Sequence, residues 1–379
     1  MSDRLSYVLP IRSRGGDRRT EELTGYLAWL AERADLVIVD GSEPSSFLSH
    51  RDRWARFATH VPPAEDIHCA NGKVRGVLTG LRLATHEGVV IVDGSEPSSF
   101  LSHRERWERF ATHVPPAEDI HCANGKVRGV LTGLRLATHE GVVIADDDVR
   151  YDDGNLAQMG RLLAEADLVR PQNYFDPLPW HARWDTARML LNRAVGSDFP
   201  GTLGVRRSFL RAIDGYDGDV LFENLELIRT VRAAGGHVLD APSLFIRRRP
   251  PTFSRFIEQR PRQAYDDWAQ PLRFALFLAT GPALAAAIAR HRPRLLVLGA
   301  GSAILAASLG RRRNRGRDVF DRFSPLFAPL WLVERAALSW FALIRRVTSR
   351  GCPYAGTVIR RAANPPRVLR RRVRSRLSG

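Results

Sequence analysis

Val142 to Tyr151 reads VVIADDDVRY, and this stretch decides how the chain is read. An apolar run without a polar break reads as a buried strand, and this one ends in three consecutive carboxylates, Asp146, Asp147 and Asp148. Like charges packed that closely raise one another's pKa until a cation neutralises them. Oxygen-only ligands suit Mg²⁺ or Mn²⁺, ions that usually carry phosphate oxygens with them. The same triplet also suits an acidic turn or a helix N-cap.

Upstream of this strand the pattern is that of a parallel α/β sheet. Tyr7 to Ile11 is a short apolar run closed by Arg12, Ser13, Arg14 and a Gly15-Gly16 turn. Leu23, Tyr26, Leu27 and Leu30 then fall at i, i+3, i+4 and i+7 of an amphipathic helix between Arg18 and Arg33. A second strand, Leu36 to Val39, closes on Asp40-Gly41-Ser42, so Asp40 stands at a carboxyl end, where such sheets place their ligands. Residues 37–89 then recur as 90–142, an offset of 53, with Asp52 changed to Glu105 and Ala55 to Glu108. Two copies this alike are too few for a solenoid and read as a recent tandem duplication of one strand-helix-strand-helix unit. Each copy carries Asn-Gly-Lys ahead of a helix, at 71–73 and 124–126, which sets Lys126 at a helix N-terminus, where ammonium and backbone N–H groups can meet phosphate.

Downstream the composition changes. Residues 274–289 and 295–309 lack any charge, and the Arg290-His291-Arg292-Pro293-Arg294 loop divides them. Both fall short of the roughly 20 residues that cross a bilayer squarely. A third apolar segment, 323–344, carries Glu334 and Arg335 in its middle and reads as interfacial. Between Phe245 and Gly379 there are 28 arginines, no lysine and 6 acids, a balance of +22 that leaves −6 on residues 1–244. With no aromatic interleaving, this basic part reads as facing anionic lipid, and no nucleic-acid partner is expected. Three cysteines give no disulfide framework, and residues 1–30 lack a signal-peptide apolar core, so the N-terminal half is expected on the cytoplasmic face of a membrane.

Five stretches, in order, resemble the family 2 glycosyltransferases: Tyr7 to Arg12, VIVDGSE at 37–43, NGKVRGVLTGL at 124–134, VVIADDDVRY at 142–151, and GTLGVRRSFL at 201–210 followed by GYDGDVLFENLELIRTVRAAGG at 215–236. The resemblance covers about residues 5–270. It implies a GT-A fold, that is, a mostly parallel sheet flanked by helices, here followed by C-terminal membrane-associated helices. The organisation it suggests is a transferase domain at 1–270, membrane-associated helices at 271–346 and an Arg-rich tail at 347–379. It further implies a nucleotide-sugar donor, inversion at the anomeric carbon, a lipid-linked or envelope glycan acceptor and a divalent metal, Mg²⁺ or Mn²⁺.

By position, Asp40 or its copy Asp93 matches the residue that contacts the nucleotide base, and Lys126 the one near its phosphates. Asp146 and Asp148 match the outer members of the Asp-x-Asp motif, with Asp148 the direct metal ligand. One departure matters: where that family has Glu-Asp, with Asp as general base, this chain has Glu223-Asn224, and an amide cannot take a proton. Three explanations stay open: Glu223 serves as base, the acceptor is already an anion, or the chain is a degenerate transferase kept as a membrane scaffold. Glu226 shares a helical face with Glu223, as a second catalytic carboxylate or as a structural partner of Arg229 or Arg232. Gln259 and Arg262 partly match the family's Gln-x-x-Arg-Trp motif, with Gln263 in place of Trp, and Trp180 and Trp184 suit either stacking on a sugar or filling the core.

Overall fold

The computed structural model describes residues 5–11, 17–40, 139–348, 351–354 and 357–377, together with positions 50, 53, 54, 57, 59–61, 92, 93, 127 and 131. The sheet starts as the sequence suggests. Strands β1 (Leu5–Ile11) and β2 (Ala34–Asp40) pair in parallel from Leu5↔Ala34 to Ile11↔Asp40, joined by helix α1 (Asp17–Ala31). Leu23, Leu27 and Leu30 of α1 are buried, which is why this helix stays on the sheet. Short strands β3 (Thr59–Val61) and β4 (Val92–Asp93) add to β2, and β5 (Gly141–Ala145) pairs with β1 in parallel. Val142 to Ala145 are buried throughout, as a strand with both faces covered requires.

Beyond β5 the direction changes. After β6 (Val149–Arg150) and helix α2 (Asp153–Glu165), strands β7 (Leu168–Phe175), β8 (Thr202–Arg206) and β9 (Val238–Arg248) complete the order β3-β2-β1-β5-β8-β7-β9-β6. The pairs β5–β8, β8–β7 and β9–β6 are antiparallel, so the sheet is mixed and not the mostly parallel one that the resemblance implies. The reason lies in the connection from β7 to β8. Its helix α3 (Trp180–Val195) leaves the sheet to pack on the C-terminal helices, so no crossover returns β8 in the original direction.

The described parts of the repeat come from different copies. Trp54 of the first is fully buried and donates to Thr24 Oγ1 at 2.6 Å, while Val127 of the second lies in the same core. Leu131, also of the second copy, packs where a Cβ on Gly215 would come within 2.3 Å of its Cδ2, and Gly215 holds a left-handed φ of +68° that suits glycine. Trp54 of the first copy and Val127 and Leu131 of the second thus share one core. Strand β4 adds only the pairs Val39↔Val92 and Asp40↔Asp93, in which a strand meets its own duplicate in register. The rest of the repeat, with Lys126, lies outside the described residues.

Among the described residues, three helices are long and apolar enough to cross a membrane: α7 (Pro271–Ala289), α8 (Pro293–Arg312) and α9 (Ala328–Thr348). They follow α4 (Arg207–Ala212), α5 (Glu223–Ala233) and α6 (Phe253–Asp266). Leu272 and Val297 are among the apolar side chains of α7 and α8 left largely exposed, whereas α9 turns Glu334 and Arg335 inward onto the α/β domain. The Arg-rich end is folded too. Strands β10 (Cys352–Tyr354) and β11 (Thr357–Ile359) form a hairpin, and α10 (Pro366–Leu377) lies against α5 with Leu369 and Val373 buried.

Excision of residues 62–114 should yield a folded protein, because it removes one period and leaves every described core residue in place. A melting temperature within a few degrees of the parent by circular dichroism is the expected result; an insoluble product would show that both copies are structural.

Candidate active site

The site begins where β5 stops. Asp146 N donates to Gly201 O at 2.8 Å and Val149 N to Asp146 O at 3.1 Å, which folds the three carboxylates into a tight turn between β5 and β6. Strand β6 pairs with the end of β9, Val149↔Arg248, and Arg249 N donates to Asp148 O at 2.8 Å. This register delivers Arg248 onto the acidic turn. Its Nε donates to Asp148 Oδ1 at 2.8 Å and its Nη2 to Asp146 Oδ2 at 3.3 Å. Burial pushes the Asp148 carboxyl up, Arg248 pulls it down, and Asp146 and Asp147 push it up again. The same two carboxylates hold the Arg248 guanidinium firmly protonated against its own burial. Only glycine fits beside them, since a Cβ on Gly201 would lie 2.6 Å from Asp146 Oδ2 and 3.0 Å from Arg248 Nη1.

The implied metal does not fit this arrangement. The cation demanded by the acidic turn is already supplied by Arg248, which lies on both outer carboxylates. Among the described residues no group of three or more His, Cys, Asp or Glu is placed to hold an ion.

A cleft of about 250 Å³ opens beside this turn, and the first turn of α5 and the inner face of α6 form its other walls. Glu223 and Asn224 both line it, with the Asn224 amide donating to Pro200 O at 2.8 Å. Gln259 and Arg262 of α6 line it too. Glu226 does not. Fully buried, it accepts from Asn364 N and Asn364 Nδ2, both at 2.7 Å, so it ties α5 to the C-terminal segment instead of pairing with Arg229 or Arg232. Trp180 and Trp184 stand outside the cleft in an aromatic cluster, with ring centroids 5.2 Å from Phe253 and 5.8 Å from Phe256 respectively. Asp40 and Asp93 are neighbours at one strand end, and their side chains, like Lys126, lie outside what is described.

The cleft also contains a carboxylate that sequence reasoning passed over. Asp266 follows Arg262 by one helical turn and lines the same wall. Its Oδ1 is buried and has no hydrogen-bond partner among the described residues. Burial pushes its pKa up to about 8; Arg262 opposes the shift, and Glu223 and Asp267 add to it. Behind it, Arg260 grips Glu334 of α9 through two bonds of 2.6 Å and Asp185 of α3 through one of 2.9 Å. Arg188 and Arg260 hold the Asp185 carboxyl well below the usual range in spite of its burial.

No protein-family model matches the sequence, and no curated protein matches it. Among solved structures, the chain is similar to the mannosyltransferase of Pyrobaculum calidifontis in complex with GDP-Man and Mn²⁺, at 16% identity and a TM-score of 0.44, over 92% of this chain and 88% of that one.

Two measurements check the electrostatics. If Arg248 is the resident cation, Mn²⁺ leaves the melting temperature of the parent unchanged, whereas Arg248→Ala lowers it and Mn²⁺ restores part of the loss. Asp266 gives the second. Its native pKa of about 8 lies above the value of an unfolded Asp, about 4, so between those limits the native state binds the extra proton and stability falls as pH rises. Asp266→Asn abolishes this contribution, so its melting temperature should exceed the parent's by a margin that grows from pH 4 to pH 8.

Proposed function

We propose that this chain is an inverting glycosyltransferase that moves a sugar from a nucleotide-sugar donor to an acceptor hydroxyl on a lipid-linked or envelope glycan at a membrane surface. The observation that supports it is convergence. Asp146 to Asp148, Glu223 with Asn224, and Gln259 with Arg262 span more than a hundred residues of sequence, match separate motifs of the resembled family and line one cleft. In this reading the outward apolar faces of α7, α8 and α9 rest on the cytoplasmic leaflet.

The reaction needs a negative diphosphate held, a proton removed and water kept out. Arg255 and Arg262 line the cleft from α6 and meet the growing charge on the leaving nucleoside diphosphate as the bond to the anomeric carbon breaks. The acceptor oxygen forms the new bond from the opposite side, and its proton passes to a carboxylate. Asn224 cannot accept it, but Asp266 can. A base whose pKa of about 8 lies close to the working pH is well matched to the task. Asp266 thereby fills the role left open by Asn224, and a hydroxyl acceptor needs no further activation.

The locked Asp146-Arg248-Asp148 bridge favours a second reading, a scaffold with a closed site. Donor turnover separates the two. The detergent-solubilised full chain is incubated with labelled nucleotide sugars and a hydroxyl acceptor. The transferase reading expects a kcat that rises with pH through about 8, and an Asp266→Asn variant slower by about 10² to 10⁴ with little change in donor KM. Asn224→Asp in the Asp266→Asn background should recover part of the rate. Absence of turnover with every donor would support the scaffold.

A further inference from the structure

A second cavity, of about 360 Å³, lies against Trp268 of the short turn that follows Asp266. The 3-10 turn Asp267–Ala269, the last turn of α9, the segment 360–365 and α10 enclose it. Four arginines line it, Arg346, Arg360, Arg361 and Arg372, and no acidic residue does.

The charge of this cavity is largely uncompensated. Arg372 pairs with Asp217. Arg346 spends its donors on neutral oxygens, Tyr265 Oη at 2.9 Å and the backbone carbonyl of Arg360, and lies 5.9 Å from the centre of the Trp268 ring. Arg360 and Arg361 have no carboxylate partner among the described residues. Trp268 lines the cavity as well, and its indole N–H is buried without a hydrogen-bond partner among those residues. Three positive charges around one concavity repel one another until an anion with more than one charge enters. Guanidinium forks match phosphate oxygens two at a time, which a singly charged carboxylate uses less fully.

Position narrows the source. Arg346 sits in the last turn of α9, whose exposed side chains Trp340, Phe341, Ile344 and Val347 form an outward apolar face leading to the cavity mouth. Tryptophan and arginine at the end of an apolar helix face are the residues that settle at headgroup depth. We propose that this cavity binds a dianionic phosphate group, presented as the phosphomonoester headgroup of a lipid. The assignment holds whether or not the neighbouring cleft transfers sugar.

The test uses the full chain in detergent micelles, with dioctanoyl phosphatidic acid as the lipid probe, dioctanoyl phosphatidylcholine as its control and inorganic pyrophosphate as the soluble probe. Affinity is read by thermal shift. The double variant Arg360→Gln/Arg361→Gln should bind phosphatidic acid about tenfold more weakly or worse, the scale of two lost charge-assisted bonds. A charge-matched control in exposed positions outside the cavity, Arg370→Gln/Arg371→Gln, should bind nearly as the parent does. Val368→Glu, which sets a carboxylate at the cavity wall without removing an arginine, should reproduce the loss. A cavity-specific loss with phosphatidic acid alone assigns the site to lipid. The same loss with pyrophosphate establishes a phosphate site and overturns the lipid source. Equal effects of the two double variants, or none from either, overturn the site itself.

Discussion

Arg248 lying across Asp146 and Asp148 is the contact on which the rest of the molecule depends. A fully apolar strand that ends in three carboxylates brings them to the edge of a core, where ionised groups without a partner are costly. One guanidinium reaching both outer carboxylates removes that cost, and several features serve to place it there. The two-residue strand β6 does little else than set the register of β9, and Gly201 leaves the space a side chain would fill. The cleft then inherits a wall on which one guanidinium offsets part of the charge of three carboxylates. Positive charge reaches the cleft from α6 as well, where Arg255 and Arg262 line it.

The second level of organisation is a salt-bridge knot at Arg260. Its guanidinium joins α3, α6 and α9 through Asp185 and Glu334, with about 4% of its side chain exposed. Breaking one member of such a buried group leaves an unpaired charge, which is why these three helices form one layer behind the cleft. Asp266 sits at the edge of this layer without a share in its pairing. Burial there pushes its pKa up to about 8, which gives the cleft a titratable group near physiological pH.

Local pattern made part of this legible. The apolar period of α1 and the buried run of β5 with its acidic end follow from neighbouring residues, and the structure places them as the sequence suggests; the C-terminal apolar helices run longer than their uncharged stretches, because each continues through flanking charged or polar residues, and are long enough to span. What it did not convey depends on partners far away in the chain. The reversal of β8 follows from where α3 packs, which no local period encodes. Arg248 is a hundred residues from Asp148 and looks like one more basic residue in a run of three. Glu226 reads as a catalytic neighbour of Glu223 until Asn364 arrives from the C-terminal segment. Asp266 carried one faint signal, its spacing of four from Arg262 on an amphipathic helix, but its burial is a property of the assembled layer.

Glu334 and Arg335 have one more consequence, which concerns orientation. Two adjacent charged residues in the middle of an otherwise apolar helix are both anchored inward, on Arg260 and beside Asp267. Together they fix α9 against rolling about its own axis. The exposed face of Trp340, Phe341 and Ile344 therefore points in a single direction relative to the cleft. Any apolar phase that covers this face meets the domain at a set angle, and the cleft mouth keeps a constant height and bearing above it. The ion pairs thus act as a goniometer.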